Sequence, residues 1–175
     1  MRPISFSPER EIYRNEFLRL YSVRADFGEF TREYFVADKG RRVGVIVLRE
    51  GRVLLVRQYR LLIDDMSWEL PGGGIKAGET AEQAAVRECG EEAGVLCHSL
   101  SKVLEFDQGI DVTKSPALIF KCTDFSVRPG LHNRETDDRK WVPLTECLDM
   151  VLDGRIRDSM TMMALLVHAR LEERS

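Results

Sequence analysis

The stretch GGGIKAGETAEQAAVRECGEEAGV, residues Gly72–Val95, decides the fold. It reads as a glycine-rich turn followed by one amphipathic helix. Thr80 with Gln83 three residues on is a capping-box pattern, and Gly94 is a fitting stop, so a helix is predicted over Thr80 to Ala93. Ala81, Ala84, Ala85 and Cys89 predict a face of small side chains that lets the helix approach a sheet closely, with the glutamates on the opposite side. Glu88 and Glu92 stand four apart with Glu91 beside them. Like charges at that spacing repel by a few tenths of a kcal/mol. A solvated face interleaves lysines to relieve this. Here Arg87 is placed for Glu91, while Glu88 and Glu92 have no basic partner at helical spacing. A divalent cation relieves the repulsion, and Mg²⁺ prefers oxygen ligands, usually a few carboxylates plus substrate phosphates. Upstream, ELPGGG ends a strand at Leu70 and breaks it with Pro71. Gly72 to Gly74 then let the backbone approach a ligand, so that a carbonyl can point at a metal. Glu79 can add a carboxylate or brace the loop through Arg87.

Working outward, Leu18 to Val23 and EFTREYFVA read as strands, separated by turn chemistry at Asp26–Phe27–Gly28 and closed by DKG. VGVIVL and VLLV are continuous apolar runs split by Glu50–Gly51, the pattern of buried strands joined tightly. Strands are predicted around Ser101 to Phe106 and Ala117 to Cys122. A loop, VRPGLHNRETDD, leads to a short strand, KWVPL. One helix is predicted at about Thr145 to Leu152, closed by Gly154. Another begins near Asp158, with Met160, Met163, Ala164, Val167 and Leu171 at helical spacing. The total is a mixed α/β (α+β) domain over 42–175, preceded at 1–41 by a small antiparallel sheet.

The 175 residues suffice for one domain with a real core, or for one domain plus a small appendage. A net charge of −3 argues against binding bulk nucleic acid. The N-terminal MRPISFSPER has no apolar core of a secretory signal, and no apolar run is long enough to span a bilayer, so no membrane partner is expected. Cys89, Cys97, Cys122 and Cys147 are scattered without a Cys-x-x-Cys pair, which fits free thiols in a reducing cytoplasm rather than a disulfide framework or a zinc site.

The spacing Gly73, five residues, Glu79, seven residues, Arg87-Glu88-Cys89-Gly90-Glu91-Glu92-Ala93-Gly94-Val95 resembles the Nudix box, G-x5-E-x7-R-E-U-x-E-E-x-G-U with U bulky and apolar. All seven fixed positions match, and Cys89 at the first U position is the one departure. Cys packs as a small hydrophobe, so this touches packing more than chemistry. The resemblance implies a Nudix α/β/α sandwich with a mixed sheet. It also implies hydrolysis by water, with Mg²⁺ or Mn²⁺, of a nucleoside diphosphate linked to another moiety. Glu88 and Glu92 match the principal metal ligands. Glu91 matches a further ligand or water-orienting carboxylate, the carbonyl of Gly72 a backbone ligand, and Arg87 the arginine that orients the glutamates.

VLLVRQYR followed by WELPGGGIKAGE is similar to the branch of ADP-ribose pyrophosphatases and nucleoside diphosphate sugar hydrolases. So are the N-terminal sheet, which that branch uses for dimerisation and base binding, and LDGRIRDSMTMMALL. The resemblance implies a homodimer and a nucleotide-sugar substrate. By the same analogy Arg60 contacts substrate phosphate, against the plain alternative of a salt bridge to Glu69. Arg42, with Arg41, is a weaker phosphate candidate. Phe27, with Phe30, either stacks a base or packs the core. DQGIDVTKSP departs from the proline-containing loop that ADP-ribose pyrophosphatases often carry after the box, which loosens the link to ADP-ribose more than to sugar nucleotides. The branch takes its general base from a loop before the last strand; HNRETDDRKW offers Glu135, with Asp137 and Asp138 as rivals and Glu91 in the box as a fallback. Two other readings stand beside this one. One is a Nudix enzyme for nucleoside triphosphates, dinucleoside polyphosphates or capped RNA. The other is a non-catalytic sugar-nucleotide-binding module.

Overall fold

Three neighbouring strands, buried along most of their length, build the architecture. In the computed structural model, which describes residues 1–128 and 136–174, the chain divides into two compact units, 1–41 with 107–116, and 42–106 with 117–175. The first unit holds β1 (Ser5–Phe6), β2 (Arg10–Arg14), β3 (Arg19–Asp26) and β4 (Thr31–Asp38). The second begins with β5 (Arg42–Arg49), β6 (Arg52–Arg60), β7 (Asp65–Glu69) and β8 (Gly72–Gly74). Helix α1 (Ala81–Ala93), β9 (Val95–Cys97) and β10 (Ser101–Asp107) follow. β11 (Thr113–Lys114) returns to the first unit, pairing parallel with β4. β12 (Pro116–Cys122), β13 (Phe125–Val127), β14 (Thr136–Pro143), α2 (Leu144–Leu152) and α3 (Ser159–Glu172) complete the chain.

The main sheet runs β10-β12-β5-β6-β14, with β7 on β6 and β8 on β5. It is mixed, because β12 lies parallel to β5 while β6 is antiparallel to it. The β5–β6 turn is two residues, Glu50 and Gly51, both at positive φ (52° and 70°), as a tight hairpin demands. The continuous apolar runs are explained by burial on both faces. Val43, Val45, Val47, Leu54, Val56, Leu118 and Phe120 point to one core, under α1. Ile46, Val53, Leu55, Ala117 and Ile119 point to the other, under α2 and α3, with Met150, Met160 and Leu165. The result is the α/β/α sandwich that the resemblance implies.

Helix α1 carries the full capping box at Thr80 and ends at Gly94 in the left-handed region, φ 63°. The last strand is longer than KWVPL suggests: β14 starts at Thr136 and pairs along β6. In the first unit, β3 and β4 form an antiparallel pair in register from Arg19↔Asp38 to Asp26↔Thr31, with β1 and β2 both on β3. Phe6, Phe17, Phe30 and Phe35 are each more than half exposed there.

Candidate active site

Helix α1 presents one stripe, Ala84, Ala85, Glu88, Cys89, Glu92 and Ala93, to the protein interior. For Glu88 and Glu92 this corrects the expectation that the glutamates lie opposite the alanines; Glu91 does lie off that face. Positions 81, 84, 85, 88, 89 and 92 follow the i, i+3, i+4 pattern and share a face. Glu88 and Glu92 are buried, 9% and 5% exposed, whereas the Glu91 side chain is half exposed. The small residues set the close approach, and the two carboxylates occupy the gap it leaves at the glycine strand.

That strand, β8, pairs with the start of β5, Gly72 opposite Gly44, Gly73 opposite Val43 and Gly74 opposite Arg42. A side chain at Gly72 would lie 2.3 Å from the Val43 carbonyl oxygen, so no other residue fits the pairing. A methyl group at Gly73 would sit 2.2 Å from Oε1 of Glu88: the glycine makes room for the carboxylate. Gly72→Ala must therefore push backbone from backbone, and we expect it to lower stability by about 3 kcal/mol. Gly73→Ala meets only the end of a flexible side chain. It should leave the melting temperature nearly unchanged while displacing Glu88 and cutting turnover by about 10²-fold or more. Melting curves and kcat on the pair check this; equal effects on stability would contradict it.

Arg87 organises the segment. Its Nε and Nη2 donate to the two oxygens of Glu79 at 2.7 and 3.0 Å, Nη1 to Glu88 at 2.7 Å and Glu91 at 3.2 Å, and Nη2 also to the Gly74 carbonyl at 2.9 Å. Glu88 thus does have a basic partner, its immediate neighbour in sequence, a pairing that helical spacing does not suggest. The Arg87 hydrogen bonds, with the Lys76 N–H, hold the Glu79 carboxyl down at about 2. The Arg87 pKa is raised in return.

Glu92 is held differently. Oε2 accepts from the Gly72 N–H at 2.9 Å and Oε1 from Nε2 of Gln58 at 2.5 Å. Burial pushes its pKa up to about 7; these two donors and Arg60 oppose the rise, and the Glu88 charge adds to it. Gln58 escapes the sequence reading; its signal is a lone amide continuing the apolar series Leu54, Val56 on the α1 face. A second missed element is Thr161, fully buried. It accepts from the Leu70 N–H at 3.0 Å and donates its hydroxyl to Asp158 at 2.7 Å, which ties the strand end before the glycines to the start of α3.

Arg60 forms the salt bridge to Glu69 in a two-pronged geometry, 2.7 and 2.5 Å, with Glu69 buried and Arg60 partly exposed. Arg42 is half-buried opposite Gly74. Phe27 belongs to the first unit, where it stacks on Phe30 at 4.7 Å. Of the loop carboxylates, Asp137 is paired with Arg57 and Asp138 accepts from the Arg139 N–H at 2.8 Å; Glu135 lies outside the described residues. Arg139 reaches the C-terminal carbonyl of α1 at Ala93, 2.6 Å away, which docks β14 on the helix. Among the described residues no three His, Cys, Asp or Glu side chains converge as a ready-made cation cage, and Glu88 and Glu91 are both bonded to Arg87. The donor set still suits a hard cation: two adjacent carboxylates, one of them buried without a positive partner in hydrogen-bond contact.

The sequence profile of the NUDIX domain matches residues 38–162. The chain belongs to the Nudix family. It is a Nudix hydrolase by the same match and by its relatives. An ADP-ribose pyrophosphatase of Mycobacterium tuberculosis (strain ATCC 25618 / H37Rv) is 30% identical over 81% of this chain and 70% of its own length. A CMP-5'-(N-acetyl-N-hydroxy-3-aminopropyl)phosphonate hydrolase of Streptomyces rubellomurinus (strain ATCC 31215) is 27% identical over 90% of this chain and 78% of its own. In fold, this Nudix chain is similar to the crystal structure of an ADP compounds hydrolase, with a TM-score of 0.82 over 99% of this chain and 96% of that one at 18% identity. The four cysteines are unpaired and buried, and among the described residues no helix is long and apolar enough to cross a membrane.

Proposed function

We propose that this enzyme hydrolyses the pyrophosphate bond of an ADP-ribose-like nucleoside diphosphate sugar, giving a nucleoside monophosphate and a sugar phosphate, with Mg²⁺ or Mn²⁺ as cofactor. The observation that carries the reading is the buried pair Glu88 and Glu92 packed against the glycine strand, a concentration of negative charge that folding alone gives no reason to build. Glu88, Glu92, Glu91 and the carbonyl of Gly72 would hold the metal. When bound, the cation neutralises pyrophosphate charge and lowers the pKa of water. Arg87 keeps the carboxylates of Glu88 and Glu91 in place. Arg60 offers its exposed edge to a phosphate while Glu69 anchors the other edge; Arg42 is a second candidate and Phe27 a candidate for the base. Glu135 is proposed to take the proton of the attacking water as the bridging P–O bond breaks. The exposed phenylalanines of the first unit support a homodimer, and the four unpaired thiols fit the cytoplasm.

A panel of ADP-ribose, GDP-mannose, UDP-glucose, diadenosine polyphosphates, nucleoside triphosphates and capped RNA, assayed with Mg²⁺ for released phosphomonoester, tests the substrate. Preference for triphosphates or capped RNA overturns the sugar-nucleotide reading, and saturable binding without turnover would make this a binding module. Light scattering should give about twice the chain's mass; a fully active monomer at nanomolar concentration contradicts the dimer.

A further inference from the structure

On the α1 face of β6, Leu54 and Val56 belong to the core, and the strand's alternation calls for a third apolar residue at position 58. The chain places Gln58 there, 3% exposed. Its neighbours across the sheet are also small and polar, Ser67 on β7 and Thr136 on β14. Burying an amide is unfavourable unless it is hydrogen-bonded, and the partner of this one is a carboxylate: Nε2 to Oε1 of Glu92 at 2.5 Å, a charge-assisted bond.

The two buried box carboxylates are thus held by different means. Glu88 takes an arginine, whose charge offsets its own. Glu92 takes two neutral donors, one for each oxygen, the Gly72 N–H and Gln58. A carboxylate has roughly four lone-pair sites. Two are engaged here, so the group is fixed in orientation while its negative charge is left without an ionic hydrogen bond. A residue that holds a ligand without neutralising it prepares that ligand for a cation.

We propose that Gln58 is a positioning residue for Glu92, setting the orientation in which that carboxylate meets the divalent ion. This rests on the reading of Glu92 as a metal ligand. Outer hydrogen-bond partners of metal ligands typically contribute 10- to 100-fold to metal affinity.

The test is Mn²⁺ binding to the full chain without substrate, read as free Mn²⁺ by electron paramagnetic resonance, for wild type, Gln58→Met, Gln58→Leu and Glu92→Gln. Both Gln58 variants should bind Mn²⁺ about 10- to 100-fold more weakly. If Glu92→Gln weakens binding and folded Gln58 variants do not, the role of Gln58 is wrong and the metal reading stands. If Glu92→Gln also binds like wild type, the metal reading fails first. A loss of kcat at saturating metal with unchanged Mn²⁺ affinity also overturns the proposal. Should neither Gln58 variant fold, the wild-type chain decides: its Gln58 side-chain amide resonances should shift on Mg²⁺ titration and saturate with the binding constant, and an absence of shift overturns the role.

Discussion

Glu92→Gln should lower turnover by about 10³-fold, equivalent to about 4 kcal/mol of transition-state stabilisation, while the metal-free protein becomes more stable at pH 8. The first effect follows from losing a charged ligand at the centre of the site. The second follows from the direction of its pKa. Folding raises the Glu92 carboxyl from about 4.5 to about 7 through burial. A carboxyl raised on folding contributes stability that is full below pH 4.5 and lost as pH rises through 7. The ceiling of that loss is about 3 kcal/mol. The glutamine has no such loss. Calorimetry without metal should therefore show a Tm gain on the order of 5 °C at pH 8 that falls to roughly a quarter of that at pH 5. Glu79, shifted the other way, loses its contribution only between about pH 4.5 and 2, outside this window. Wild-type turnover in Glu92→Gln would remove this helix as the reactive centre.

Glu135→Gln should lower kcat by about 10²- to 10⁴-fold, the range for a general base, with Mn²⁺ affinity unchanged. The carboxylates of the box are poor bases once a cation lowers their pKa, so a carboxylate outside the metal shell suits the task. Asp137 is committed to Arg57, and Asp137→Asn should have a small effect on kcat. Steady-state kinetics of the two variants rank them; if Asp137→Asn is the slower enzyme, the loop supplies the base through the other residue. If neither falls tenfold, the base is in the box, with Glu91 first in line because its side chain is half exposed.

Local grammar was readable in the sequence. Thr80, Gln83 and Gly94 bounded α1, Glu50–Gly51 announced the hairpin, and the periodicity from Met160 to Leu171 announced α3. Pairings across long separations were not. The place of β11 beside β4, where Lys114 pairs with Asp38 76 residues earlier, depends on backbone hydrogen bonds that almost any sequence could make and on that one ion pair. Strands of two or three residues, such as β1, β9 and β13, are too short to show a period. Charge patterning on the helix misled because glutamate is normally solvated. The spacing placed Glu88 and Glu92 on the alanine face all along, and only their polarity argued otherwise. Gln58 lies 34 residues from Glu92, and nothing local reveals that the amide and the carboxylate meet.

The Arg87 guanidinium has a kinetic consequence for the segment it holds. One side chain joins the loop at Gly74 and Glu79 to the helix at Glu88 and Glu91, and Glu79 in turn receives the Lys76 N–H. Gly74 and Glu79 cannot part from Glu88 and Glu91 without releasing the same planar fork. These residues form one cooperative opening unit, and their slow amide protons should exchange together at a common free energy. A lysine there, with a point charge in place of a fork, would split that unit, freeing the loop to exchange ahead of the helix.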